Sequence, residues 1–225
     1  MGHRLSILTF AMVGLVICSG SKAAEIDGWG NVINPDGDCT FEVDDGTVTI
    51  RLPKTKHDLW YGGADEKTRF NSPRVLQEVE GNFVATVRVT ALWRAGIAGG
   101  GYNGAGLVVW DSEKQYLRHE RNRFVNRSSG PDGLSYTTPL YDQNNRRVFY
   151  NSTADDFFKD NSTWLRIARY DSIVVASMSH DGRTWTRTGV LTTEFSNSVQ
   201  VGIHATNSTG RAFAVLYDQF SVTSD

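Results

Sequence analysis

The sequence predicts an all-β protein, a sandwich or a closed barrel, on three observations. Stretches in which apolar and polar residues alternate one by one dominate the chain from Thr47 onward. Clusters of Gly, Asn and Asp punctuate them, as in "DDG" at 44 to 46, "EGN" at 80 to 82, "HDG" at 180 to 182 and "NSTG" at 207 to 210. No segment repeats apolar residues with the period of a three-turn helix, although Asn151 to Lys159 has room for one short turn.

In chain order, the first 23 residues read as a secretory signal peptide. A basic start (His3, Arg4) leads into an apolar run from Leu5 to Cys18 and a small-residue stretch ending at Ala23 and Ala24. The run is short of the roughly 20 residues that span a bilayer core, so the mature chain is expected to be exported and not membrane-spanning. Cleavage after Ala23 places Ser21 at the small-residue position, whereas cleavage after Ala24 would place Lys22 there. Ile17 precedes Cys18 where a lipobox carries a small residue, so lipidation is not expected. Residues 24–225 then form one domain, with no internal repeat and no Pro-rich linker. Cleavage removes Arg4 and Lys22 and leaves 23 − 2 = 21 basic against 25 acidic residues, which argues against nucleic acid as a partner. Cys39 becomes the sole cysteine, expected as a small buried hydrophobe without a disulfide partner.

The strand pattern is clearest at Phe83 to Val89, where Phe83, Ala85, Val87 and Val89 share one face and Thr86 and Arg88 the other. Thr47 to Leu52, Trp164 to Arg169, Ile173 to Ser179, Trp185 to Leu191, Val199 to Ala205 and Phe213 to Val222 read the same way. Gln115 to Phe124 departs from it. One face carries Tyr116, Arg118, Glu120, Asn122 and Phe124, the other Leu117, His119, Arg121 and Arg123, and neither is plain core. The glycine-rich stretch from Gly96 to Gly106 lacks the Lys-Ser/Thr of a phosphate cradle and reads as a mobile loop between strands.

The pieces "GAGLVVWDSEKQYLRHER" (104 to 121), "WLRIARYDSIVVASMSHDGRTW" (164 to 185), "VQVGIHATNS" (199 to 208) and "FAVLYDQFSV" (213 to 222) occur in an order that resembles the regulation-of-enolase type of domain of unknown function. That domain lies within the concanavalin A-like lectins and glucanases. Upstream, "DLWYGG" and "FNSPRVLQEVEGNFVATVRV" look like its first half. The resemblance implies a concanavalin A-like jelly-roll sandwich of two curved antiparallel sheets, and no particular activity, because one fold hosts many functions.

Chemistry narrows the choice. Retaining glycosidases need two carboxylates about 5 to 5.5 Å apart, and the fold's glucanases resemble one another in a Glu-x-Asp-x-Glu strand that this chain does not contain. Glu120 is the acid best placed on a strand, and Arg118 beside it is expected to keep it ionised in an ion pair or a ligand contact. His57, His119, His180 and His204 occur singly, without the local spacing of a catalytic zinc site. Ser179-His180-Asp181 is a local tripeptide that cannot adopt triad geometry, and "SMSHDGRTW" (177 to 185), although close to a sialidase-type Asp-box, occurs once and reads as a hairpin turn.

A calcium site is the candidate metal reading: Asp36 and Asp38 of the "NPDGD" loop could meet Asp218 if the first and last strands adjoin. For sugar recognition the candidates are Trp60, Tyr61, Trp93, Tyr116, Arg118 and Glu120, the aromatics facing pyranose rings and the charged groups binding hydroxyls. Arg118, Arg121, Arg123, Arg127, Arg146 and Arg147 form a basic cluster, either a solvated sheet face or a site for an acidic polysaccharide. Sequons start at Asn126, Asn151, Asn161 and Asn207. The leading expectation is a secreted, non-catalytic module that binds a carbohydrate or a cell-surface glycan. Its competitors are a polysaccharide-active enzyme using Glu120 with an acid from a loop, and a structural or protein-interaction sandwich with no small ligand.

Overall fold

The computed structural model describes residues 24–60, 69–91, 93, 101–125, 134–143, 146–150 and 160–224, so the signal peptide expected at residues 1–23 lies outside the described residues. Two large antiparallel sheets pack face to face as a concanavalin A-like jelly-roll sandwich. The first runs β1 (Glu25–Ile26), β2 (Gly30–Ile33), β7 (Arg74–Glu80), β16 (Ser198–Asn207), β9 (Gly101–Ser112), β10 (Gln115–Val125), β11 (Leu134–Gln143) and β12 (Arg146–Tyr150). The second runs β15 (Thr186–Thr192), β14 (Ile173–Ser179), β13 (Ser162–Tyr170), β8 (Phe83–Ala91), β17 (Phe213–Ser224), β4 (Thr47–Leu52) and β3 (Thr40–Asp44). A small hairpin of β5 (Leu59–Trp60) and β6 (Arg69–Phe70) stands apart from both. No helix among the described residues is long and apolar enough to cross a membrane.

Alternation decides which side chains meet between the sheets. On β8 the burial follows the sequence pattern residue by residue, with Phe83, Ala85, Val87 and Val89 buried and the residues between them half-exposed. They join Val75, Leu107, Val109, Leu117, Leu165, Ile167, Val201, Ile203 and Tyr217 in one core cluster. Tyr217 reaches across that core from β17, and its hydroxyl donates to the backbone carbonyl of His204 at 2.6 Å. On the eight-stranded sheet the outer face is not solvated throughout. Leu76, Val108 and Tyr116 point outward and form a second apolar cluster with Leu59 of the β5–β6 hairpin, against which Phe70 and Trp110 pack.

Two expectations need correction. The glycine-rich stretch is in part a strand, since β9 begins at Gly101 and its residues 104 to 106 pair with both β16 and β10. Glycine lowers strand propensity in general, but here the neighbouring backbones come too close for a side chain: a Cβ on Gly106 would lie 2.2 Å from the His119 carbonyl oxygen. Asn207, the last sequon, is buried, and its amide donates to the carbonyls of Pro53 and Arg211, which closes it to glycan attachment in the folded chain. Asn161 is exposed, while Asn126 and Asn151, with the short turn expected at 151 to 159, lie outside the described residues.

The hairpin at "SMSHDGRTW" forms as its residues predict. Ser179 Oγ accepts from the amide of Gly182, and Asp181 accepts from the amides of Arg183 and Thr184, both at 2.8 Å. Those amides hold the Asp181 carboxyl far below its ordinary range. Gly182 takes φ of 71°, and Trp185 lies under the Arg166 guanidinium, 3.7 Å from its ring centroid. His180 is exposed at the tip.

Candidate functional site

The two mixed faces of β10 find different environments. Leu117, His119 and Arg121 point into the sandwich: His119 Nε2 bonds the Ser177 carbonyl at 2.9 Å, and Arg121 donates to Thr163 Oγ1 while lying over the Trp93 ring. Tyr116, Arg118, Glu120 and Asn122 therefore face outward, as do Arg74 of β7 and His204 of β16. The register sets them in a row, because Arg74 pairs with His204, and both His204 and Glu120 pair with Gly106 of β9.

Adjacent strands lie about 4.8 Å apart, so side chains on β16 and β10, with β9 between them, do not ordinarily meet. The absence of a side chain at Gly104 leaves the Glu120 carboxyl room over β9. His204 Nε2 comes within 3.6 Å of Glu120 Oε2. A Cβ on Gly104 would lie 2.6 Å from Thr206 Oγ1 and 2.7 Å from Glu120 Oε2. From the loop before β5, Asp58 completes the row: Arg118 Nη1 stands 3.2 Å from Asp58 Oδ1 and 3.9 Å from Glu120 Oε1. One guanidinium thus links two carboxylates, with Tyr102 and Trp110 flanking Arg118 and Arg74 as ring partners.

All five side chains are buried, and burial dominates their chemistry. It pushes the Glu120 carboxyl well above its ordinary range, the Asp58 charge adds to this, and a hydrogen bond from Asn122 opposes it without prevailing. Arg118 stands beside Glu120 as expected, and burial works against the ionised form it would favour. Burial likewise drives His204 well below its ordinary range, helped by Arg118 and Arg74, and brings Arg74 itself down to about 10. Burial thus favours the protonated form of Glu120 and the neutral form of His204. Their 3.6 Å separation is too long for a hydrogen bond between them. Glu120 Oε2, both ring nitrogens of His204, and the Nε atoms of Arg74 and Arg118 have no hydrogen-bond partner. Buried polar atoms are almost always paired with protein or with water, so among the described residues this row offers unpaired donors and acceptors to water or a polar ligand.

The linkage runs in opposite directions for the two groups. Glu120 holds its proton in the folded chain while the unfolded chain ionises above its ordinary 4.5, so its contribution is full below that value and lost as pH rises. His204 resists protonation that the unfolded chain accepts below 6.5, so its contribution is full above that value and lost as pH falls. Thermal unfolding of Glu120→Gln should match the wild type at pH 4 and exceed it increasingly toward pH 7, whereas His204→Gln should gain on the wild type as pH falls from 7 to 5. Differences independent of pH would contradict both assignments.

The remaining candidates are scattered. Tyr116 is fully buried in the second apolar cluster, stacked on Trp110 at 5.3 Å, and offers no free face to a sugar. Trp93 belongs to the inner core, where it packs on Phe213 and donates to the Asn161 carbonyl, so it does not join the row. Trp60 is half-buried on β5, next in sequence to Leu59, and Tyr61 lies outside the described residues. The basic cluster is divided, since Arg118 and Arg121 are buried on opposite faces of β10; the Arg127, Arg146 and Arg147 side chains lie outside the described residues.

The calcium grouping does not assemble either. Asp218 is held by both arms of Arg88, at 2.7 and 2.5 Å, because β17 and β8 pair directly. Asp36 and Asp38 lie elsewhere, around His57: Asn71 donates to Asp36, Thr55 donates to Asp38, and Cys39 is buried beside them. Burial, then Asp38 and Asp36, push the Cys39 thiol up to about 12, which makes it a poor nucleophile. A separate concavity of about 450 Å³ on the seven-stranded sheet is lined by Thr49, Thr90, Phe213 and Leu216, with Arg51 as its sole titratable group. Sequence reasoning overlooked Asp58, Arg74 and His204. The alternation of Ile203-His204-Ala205 between core residues was their one local signal.

Residues 34–225 match the family described as a protein of unknown function, DUF1349. The chain belongs to that family. No curated protein matches it in sequence. Among solved structures it is similar to a functionally unknown protein from Saccharomyces cerevisiae, with TM-score 0.69 and 18% identity over 94% of this chain and 96% of that one. It is also similar to the GH43 BlXynB protein from Bacillus licheniformis, with TM-score 0.57 and 16% identity over 84% of this chain and 37% of that one. A xylan β-1,4-xylosidase from Bacillus halodurans C-125 matches with TM-score 0.53 and 10% identity, over 83% of this chain and 34% of that one. This family member thus spans little more than a third of the two Bacillus chains, and at such identities the likeness establishes the fold alone.

Proposed function

We propose that this protein is an exported glycan-binding module whose outer sheet face, centred on Asp58, Arg118, Glu120, His204 and Arg74, receives sugar hydroxyls. The observation that carries the reading is the set of open valences in that row. A hydroxyl both donates and accepts, so it pairs equally with a protonated carboxyl, a neutral imidazole and a guanidinium. Trp60, Tyr102 and Trp110, all half-buried, would supply apolar contact beside it. The xylosidase-type neighbours support a carbohydrate context, and the large part of those chains outside the match means that their activity need not reside in the shared fold. The likeness to regulation-of-enolase domains adds kinship without a ligand. Export follows from the signal-peptide reading of residues 1–23.

One observation favours a second reading, glycoside cleavage. A carboxyl whose burial favours the protonated form suits a general acid, and Asp58 is a second carboxylate from a loop, no more than about 7 Å from Glu120 because one guanidinium nitrogen contacts both. A glycan array with neutral xylans and glucans and acidic uronates, followed by reducing-sugar assays on the bound members, separates the two. The module reading expects binding that weakens at least about tenfold in Trp60→Ala and His204→Ala, a loss of about 1.4 kcal/mol, with no sugar released. Release that vanishes in Glu120→Gln would establish the enzyme instead, and no binding to any glycan would defeat both.

A further inference from the structure

We infer that Asp38, Cys39 and His57 form a binding site for a borderline divalent cation, zinc(II) by its chemistry, outside the outer-face row. Cys39 and His57 are buried, at 6% and 1% exposure, and come from separate loops, one before β3 and one before β5. Their donor atoms stand at the corners of a triangle. Cys39 Sγ is 3.8 Å from His57 Nε2 and 3.6 Å from Asp38 Oδ1, and His57 Nε2 is 3.3 Å from Asp38 Oδ1. Zinc bonds of about 2.3 Å to sulfur and about 2.0 to 2.1 Å to nitrogen and oxygen, arranged tetrahedrally, require edges of about 3.6 Å to sulfur and about 3.3 Å between nitrogen and oxygen. The edge lengths are those of a zinc tetrahedron, and because Sγ also lies 3.9 Å from Nδ1 the His57 ring must turn to aim Nε2 at the shared centre.

The surroundings orient the ligands. His57 Nδ1 lies 3.1 Å from the Asn71 carbonyl, which can only accept, so Nδ1 donates there and Nε2 is the nitrogen left for a cation. Asn71 also donates through Nδ2 to Asp36, and its Oδ1 accepts from the Asp58 amide. Thr55 Oγ1 lies 3.0 Å from Nε2 and donates to Asp38 Oδ2 at 2.9 Å, so a cation would replace its contact with Nε2. A thiol, an imidazole and one carboxylate suit zinc rather than calcium, which takes six to eight oxygens. On coordination the Cys39 thiol releases its proton to solvent and binds as thiolate, with no change of oxidation state. The cation would also tie the strand-entry loop at residues 36 to 39 to the segment that delivers Asp58.

The test is titration of cobalt(II) into reduced, chelator-treated, tag-free protein. One equivalent should produce a near-ultraviolet thiolate-to-cobalt charge-transfer band, with tetrahedral visible bands that vanish as zinc(II) is added. Cys39→Ser should abolish the charge-transfer band, and Asp38→Asn should weaken binding by more than about tenfold, since even outer-shell partners of a metal site contribute that much. Asp38 is partly exposed, so Asp38→Asn decides the matter if Cys39→Ser does not fold. Absence of the band in the wild type, equal binding by both variants, or displacement of cobalt by calcium would overturn the inference.

Discussion

Arg118→Met should lower the unfolding free energy by about 3 to 5 kcal/mol, measured by urea denaturation at pH 7. Its side chain is 4% exposed and its Nη1 is the cation between Asp58, 12% exposed, and Glu120, 1% exposed. Methionine fills much of the same volume, so the loss is electrostatic rather than a cavity. Two carboxyl groups would remain in a poorly solvated site with no positive charge between them. The same logic predicts recovery when the partners are neutralised: Asp58→Asn with Glu120→Gln, added to Arg118→Met, should restore most of the stability, because an uncharged row is often no less stable than an ion pair. A loss below about 1 kcal/mol for the single variant would place Arg118 in an environment far wetter than its burial indicates.

Gly106→Ala should disrupt the fold, and Gly104→Ala should separate folding from binding. The Cβ added at Gly106 falls 2.2 Å from the His119 carbonyl oxygen and 2.6 Å from the Glu120 Cα, both backbone atoms of β10. Neither can rotate aside, so β9 and β10 must part. Overpacking of this kind costs about 1 to 3 kcal/mol or more. At Gly104 the nearest atoms, Thr206 Oγ1 and Glu120 Oε2, are side-chain termini that can turn away. Gly104→Ala should therefore keep most of its stability while displacing the Glu120 carboxyl and losing glycan binding. Thermal unfolding and glycan affinity measured on both variants check this. Equal stability of the two would contradict the close approach of β9 to β10.

The fold was legible because alternation is a local property. Phe83 to Ala91 displays its core face to any reader who counts by twos, and Asp181-Gly182 marks its hairpin by backbone chemistry alone. The site was legible only in part. Arg118 and Glu120 stood out on Gln115 to Val125 because that strand has no plain core face, but their environment depends on three other segments. His204 and Arg74 join through the pairing of β16 with β9 and β7, a register no single strand reveals. Gly106 reads in sequence as a loop signal, yet two strands close on it. Cys39 and His57 are 18 positions apart, outside any local ligand spacing, and their adjacency arises from where the loops before β3 and β5 meet. Trp93 and Tyr116 show the converse: aromatic rings beside glycines or charges look like ligand faces in sequence, while the tertiary packing places one in each apolar cluster.

The most direct measurement is a heteronuclear NMR titration of the isotope-labelled protein with xylohexaose and, separately, with tri-galacturonate. Receipt of sugar by the outer face predicts that at least one of them shifts the amides of Arg74, Gly106, Arg118, Glu120 and His204 together, with the His204 ring nitrogens moving as they gain hydrogen bonds. Shifts confined to Thr49, Arg51 and Phe213 on the seven-stranded sheet, or no shifts with either saccharide, would contradict it.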